Sequence, residues 1–236
     1  MKQTNKQTSV LLATAMGVFG CLSGSASAAT VVAGTKIGIA PDSGTPTDTA
    51  GNDWFDYSAR GTFNTIHNLD GDTLTGVSVT VAGGGGNPAG EDNWVGLSTN
   101  GGSAPAEFVD SVTTDLWFNN TTITITGLAT GLTYNLYSVS HGGGAGFDAV
   151  EDTHSVTGDV SYGSSTHTRG AARVSGTFHT FLGVTPDGSG TIVLATTQPS
   201  GTNAAFNGLL IEAVPEPSTT ALLGLGGLAL ILRRRK

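Results

Sequence analysis

The sequence predicts an all-β fold, a β-sandwich of the jelly-roll type, with address segments at both ends. Three observations lead there. Apolar and polar residues alternate with period 2 in run after run between residues 30 and 213. Glycine-rich breaks separate the runs: Gly83 to Gly86, Gly101-Gly102, Gly142 to Gly144, and Asp187-Gly188-Ser189-Gly190. Of 236 residues, 36 are Gly and 35 are Thr while only 12% are charged, which suits strands and turns better than helices.

The elements follow in order. A strand is expected over 31–39, with Ile37 and Ile39 on one face. Strands over 62–66 and 74–82 come next; in the second, Val77, Val79 and Val81 alternate with Ser78 and Thr80. Two runs, 115–118 and 122–127, precede 132–140, and Ile123 and Ile125 alternate with threonines as Tyr134 and Leu136 do with polar neighbours. The run 170–182 places Phe178, Thr180 and Leu182 opposite Thr177, His179 and Phe181. Strands over 190–196 and 205–213 close the series. A hydrophobic share of 38% supplies one core, so a wholly disordered chain is excluded.

Charge is uneven. Residues 30–214 hold four cations (Lys36, Arg60, Arg169 and Arg173) against 17 acids, a net of −13. Nucleic-acid binding is not expected, because phosphate contacts need clustered Lys and Arg. An acidic, well-solvated extracellular domain is.

The N-terminus has the three parts of a secretory signal over 1–28. Lys2 and Lys6 give the positive region, Val10 to Leu22 the apolar stretch, and Ala26-Ser27-Ala28 the small-residue site, with cleavage after Ala28 or Ala29. Cys21, the only cysteine, lies inside this segment. Val18-Phe19-Gly20-Cys21 has the outline of a lipobox, but bulky Phe19 fits it poorly. Once Cys21 is removed the chain has no disulfide, and packing and strand pairing must hold it together.

The C-terminus is the most informative stretch. Val214, Pro215, Glu216 and Pro217 form a box whose prolines stop the preceding strand. Residues 218–232 carry no charge, and Arg233, Arg234, Arg235 and Lys236 end the chain as a cytoplasmic stop would. The apolar part is shorter than the ~20 residues that span a bilayer comfortably. These features, in this order over 214–236, closely resemble the PEP-CTERM sorting signal of Gram-negative bacteria. The resemblance implies an exosortase-type membrane protease as a transient partner. It also implies export through the inner membrane, a passing C-terminal anchor, and delivery to the cell surface or an exopolysaccharide matrix.

A softer resemblance covers about 37–212. Ile37-Gly38-Ile39, Phe63-Asn64-Thr65-Ile66, Leu132-Thr133-Tyr134-Asn135-Leu136 and Phe206-Asn207-Gly208-Leu209-Leu210-Ile211-Glu212 look like strands of jelly-roll modules related to galactose-binding-like and carbohydrate-binding sandwiches. That similarity speaks for fold and says little about function.

Candidate chemistry is sparse. His141-Gly142-Gly143-Gly144 has the form of an esterase oxyanion loop, but no Ser has Gly at both −2 and +2 to make a nucleophile elbow. The glycine runs lack the Lys and helix start of a phosphate cradle. His67, His154, His167 and His179 form no short metal-ligand spacing and read as surface or strand histidines. Asp70-Gly71-Asp72 and the group Asp148, Glu151 and Asp152 read as turn acids, with calcium the one cofactor they would suit. Trp54 and Trp94 follow polar loop residues and are the candidates for stacking on sugar rings, with burial in the core as the alternative. The chain thus reads as a non-enzymatic exported surface or matrix protein whose sandwich is a candidate carbohydrate binder. Its rivals are a polysaccharide hydrolase or lyase and a purely structural matrix protein.

Overall fold

The computed structural model describes residues 30–40, 54–56, 60–85, 117–140, 151–168, 177–198 and 204–215. These form fourteen strands: β1 (Lys36–Ala40), β2 (Phe55–Asp56), β3 (Gly61–Phe63), β4 (Ile66–His67), β5 (Thr73–Leu74), β6 (Ser78–Gly85), β7 (Trp117–Thr126), β8 (Leu132–Ser140), β9 (Glu151–Thr157), β10 (Ser161–Thr168), β11 (Thr177–Val184), β12 (Ile192–Thr197), β13 (Ala205–Phe206) and β14 (Gly208–Pro215). No helix occurs among the described residues.

Two sheets make the sandwich. One has the order β11-β8-β14-β1-β2. The other runs β10-β9-β12-β7-β6-β3, with β13 also paired to β7. Pairing is antiparallel apart from β1 with β2. The expected alternation sets the register. In the larger sheet, Val81, Ile123, Leu194 and Val156 lie across one inward row, and Val79, Ile125 and Ile192 across the next. In the smaller sheet, Phe181, Leu136, Ile211 and Ile37 align. The rows of the two sheets join in one apolar core. Each fully buried Val, Leu or Ile contributes about 1.5–3 kcal/mol relative to an exposed one.

A second, smaller cluster covers the outer face of the β1–β14–β8 region. Ala40, Leu69, Val139 and Leu210 pack there around Trp54. Gly38 makes room for the indole: a Cβ at Gly38 would lie 2.5 Å from a Trp54 ring carbon.

The sequence reading needs correction at several elements. The expected strands 115–118 and 122–127 are the single β7. The first strand begins at Lys36, because residues 31–35 turn back through a Thr35 amide bond to the Val32 carbonyl. Strand 170–182 begins at Thr177 in the described residues, with 170–176 outside them. β9 and β10 were not expected at all, since polar Asp152 and His154 occupy inward positions of β9 and hide its alternation. Glu151 and Asp152 are therefore strand residues rather than turn acids.

Tight turns join the strands away from the long connections. Gly127, just after β7, has φ +78°, and a Cβ there would strike the Gly76 carbonyl. Gly127→Ala should therefore lower stability by about 2–3 kcal/mol, through left-handed strain and overpacking together. Urea unfolding with an unchanged midpoint would refute this. In the Asp187–Gly190 turn, the Ser189 hydroxyl, with the Thr191 and Ser189 amides, holds the exposed Asp187 carboxyl below its ordinary pKa.

Candidate functional site

The sandwich has two unlike ends. At one, β8 begins at Leu132 and β14 stops at Pro215 in register with it. At the other, β8 stops at Ser140, β9 begins at Glu151, β11 begins at Thr177 and β12 stops at Thr197. We call these the tail end and the distal end.

Toward the distal end the inward positions of β8, β9, β11 and β12 turn polar, while Leu209 of β14 and Ile39 of β1 stay apolar at the level of Ser138. On β8, Tyr134 and Leu136 give way to Ser138 and Ser140. On β9, Val156 gives way to His154 and Asp152; on β12, Leu194 gives way to Thr196; on β11, Phe181 gives way to His179. All of these polar residues are buried. His154 and His179 come from opposite sheets and stack, with ring centroids 3.7 Å apart and planes 11° from parallel. His154 Nδ1 lies 2.8 Å from Ser138 Oγ, and His179 Nε2 lies 3.1 Å from Ser140 Oγ. The two sheets are thus pinned together by a stacked, hydrogen-bonded polar layer, and buried polar groups demand such partners.

The distances match a nucleophile with its base. Both serines and both histidines are buried inside the sandwich. Among the described residues, no three His, Cys, Asp or Glu side chains are placed to share a metal ion. Asp70 and Asp72 stay exposed around a turn closed by the Asn68 side chain, which accepts the Asp72 amide at 2.8 Å.

The residues singled out from sequence fall as follows. Trp54 is 0% exposed, so it is a core residue and not a sugar-stacking platform; Gly38 and Leu69 close over its ring. Trp94 lies outside the described residues, as do His141, Asp148, Ala28, Glu216, Pro217 and Arg233 to Lys236. Val214 and Pro215 belong to β14, so the last strand runs through residue 215 rather than ending at 213. Proline is tolerated there because Ala213 turns its amide and carbonyl to the β1 side, so by alternation the Pro215 nitrogen faces the same side, beyond the bonds to Gly34 and Thr35. His154 and His179 are strand histidines, but their pairing was not legible. No helix among the described residues is long and apolar enough to cross a membrane.

The larger sheet presents a hydroxyl-rich outer face. Thr62, Thr80 and Thr124 lie across one row, and Thr62 bonds Thr80 at 2.9 Å. Thr122, Ala195, Ser155 and Ser164 lie across another. Ser78 bonds Thr126 at 2.7 Å, and Thr153 bonds Thr166 at 2.7 Å.

Comparison with known proteins finds a family-model match at the tail. No curated protein matches the chain. Among solved structures, the ANXUR2 extracellular domain from Arabidopsis thaliana aligns at 13% identity and a TM-score of 0.49, over 78% of this chain and 49% of that one. The ANX1 ectodomain from the same plant gives 12% and 0.48, over 77% and 51%. This chain spans about half the length of those ectodomains. TmCBM61 in complex with beta-1,4-galactotriose aligns over 43% of this chain and 70% of its own, at 12% identity and a TM-score of 0.28. Residues 213–236 match the PEP-CTERM protein-sorting motif, whose first three residues are the last three of β14. The chain is an all-β sandwich that carries a PEP-CTERM sorting motif at its C-terminus.

Proposed function

We propose that this protein is a non-enzymatic exported substrate of an exosortase-type membrane protease, displayed at the cell surface or released into an extracellular polysaccharide matrix. The observation that carries the reading is the sorting motif over 213–236, continuous with β14. The uncharged stretch from Ser218 pauses the chain in the inner membrane, and the terminal cations resist following it. Because β14 leaves from the tail end, the distal end and its long connections face away from the membrane during that pause. The buried serine–histidine layer supports a structural rather than a catalytic domain.

A second reading, carbohydrate binding, moves from Trp54 to the outer face of the larger sheet. Rows of hydroxyls on adjacent strands offer donors and acceptors at the strand spacing, a surface suited to a polyhydroxylated chain. Thr122→Val with Thr124→Val removes two half-buried hydroxyls at nearly constant shape. A hydrogen bond contributes on the order of 1 kcal/mol, so glycan retention on an array should fall roughly tenfold with the circular dichroism unchanged. Equal retention by the folded double variant would remove this face from the binding reading.

A further inference from the structure

We propose that the β8–β14 ladder gates the sorting box: the last rungs of the sheet must open before the protease can take hold of it. The inference rests on the reading that a membrane protease cuts this tail. β14 is an inner strand, with β8 along one edge and β1 along the other. Ala213 is held on the β1 side by both backbone groups: its carbonyl accepts from the Gly34 amide at 2.7 Å, and its amide donates to Thr35 at 2.9 Å. On the β8 side, Ala213, Val214 and Pro215 stand opposite Tyr134, Thr133 and Leu132. The Ala213 side chain is buried in the core, Val214 is half-buried and Pro215 is exposed.

The first two residues of the box are thus the last two of the sheet. Only Glu216 and Pro217 separate them from the uncharged stretch that begins at Ser218. At ~3.3–3.6 Å per residue at most, so short a connection spans no more than about 10 Å. A protease binds its peptide extended and through backbone groups, as an added strand would be bound. Here those groups are already engaged up to Ala213, and the sandwich stands where the enzyme would approach. Terminal rungs open at far lower cost than the whole domain, so fraying of β14 from its end is the route by which the box comes free. Processing of the folded protein then proceeds at a rate set by its own C-terminal strand.

A crosslink tests this. Thr133 and Val214 are direct partners on neighbouring antiparallel strands, and both are half-buried on the outward side. Directly opposed strand positions suit a disulfide. The full-length chain with Thr133→Cys and Val214→Cys is presented to exosortase-bearing membranes, oxidised or reduced, and C-terminal cleavage is followed by mass. The oxidised form should be cut at least tenfold more slowly than the same chain reduced. Equal rates in the two states overturn the gate. A second variant moves the intact box outward by inserting Gly-Ser-Gly between Ala213 and Val214, which frees Val214 to Pro217 from the sheet and leaves the box sequence and the Ala213 bonds to Gly34 and Thr35 in place. It should be cut several-fold faster than wild type, and a rate no faster than wild type also overturns the gate. If wild type itself is not cut in these membranes, the sorting reading fails, and the gate with it.

Discussion

Trp54→Ala should cost about 3–5 kcal/mol of stability, the range for deleting a large aromatic from a packed core. The residue is fully buried beneath Leu69 and Leu210, against Gly38 and Val139. A domain with a typical reserve of ~5–15 kcal/mol would lose about a fifth of it or more. The effect would be a large downward shift of the urea midpoint, together with a change in indole emission. Gly38→Ala should act on the same contact from the other side, costing about 1–3 kcal/mol by overpacking. If Trp54→Ala instead leaves the midpoint in place and abolishes glycan retention, Trp54 is a ligand residue after all. The contrast is sharp because the two outcomes move different instruments.

How much of this was legible in the sequence depended on which neighbour made each residue's environment. β8 was read over its full length because its own alternation carries the signal, from Leu132 to Ser140. The inward row of Val79, Ile125 and Ile192 is legible for the same reason. β9 was not, because Asp152 and His154 sit where apolar residues were looked for. Trp54 reads from sequence as either a loop aromatic beside Asn52 and Asp53 or a core residue, and the glycine that admits it to the core lies on another strand. The stacked histidines are brought together by the meeting of two sheets, and no local spacing encodes that. The tail was legible as a whole because box, apolar stretch and cations are contiguous. Its first step is obscured: Pro215 reads as a residue that stops the strand and in fact is the strand's last residue.

Replacing Pro215, Glu216 and Pro217 together with alanine should convert a processed protein into a full-length species retained in the membrane. The sandwich itself should be unaffected. Pro215 is exposed at the last rung, opposite Leu132, and alanine there adds an amide without removing a contact from the core. Glu216 and Pro217 lie beyond the strand. A loss of processing therefore reports on recognition and not on folding. The prolines hold the residues before them extended, and Glu216 is the sole acid after the sandwich, so the triple change removes both the shape and the charge a protease would read. The anchoring parts remain: the uncharged stretch from Ser218, and four cations that are costly to draw through hydrocarbon. The chain is then held but not released. Deleting 218–236 removes the hold instead, and that variant should be exported without passing through sorting. C-terminal mass and cell fractionation of both variants beside wild type, in a host carrying exosortase, separate these outcomes. Processing of the alanine variant at the wild-type rate would leave the box without a role, and the tail would then be a plain short anchor.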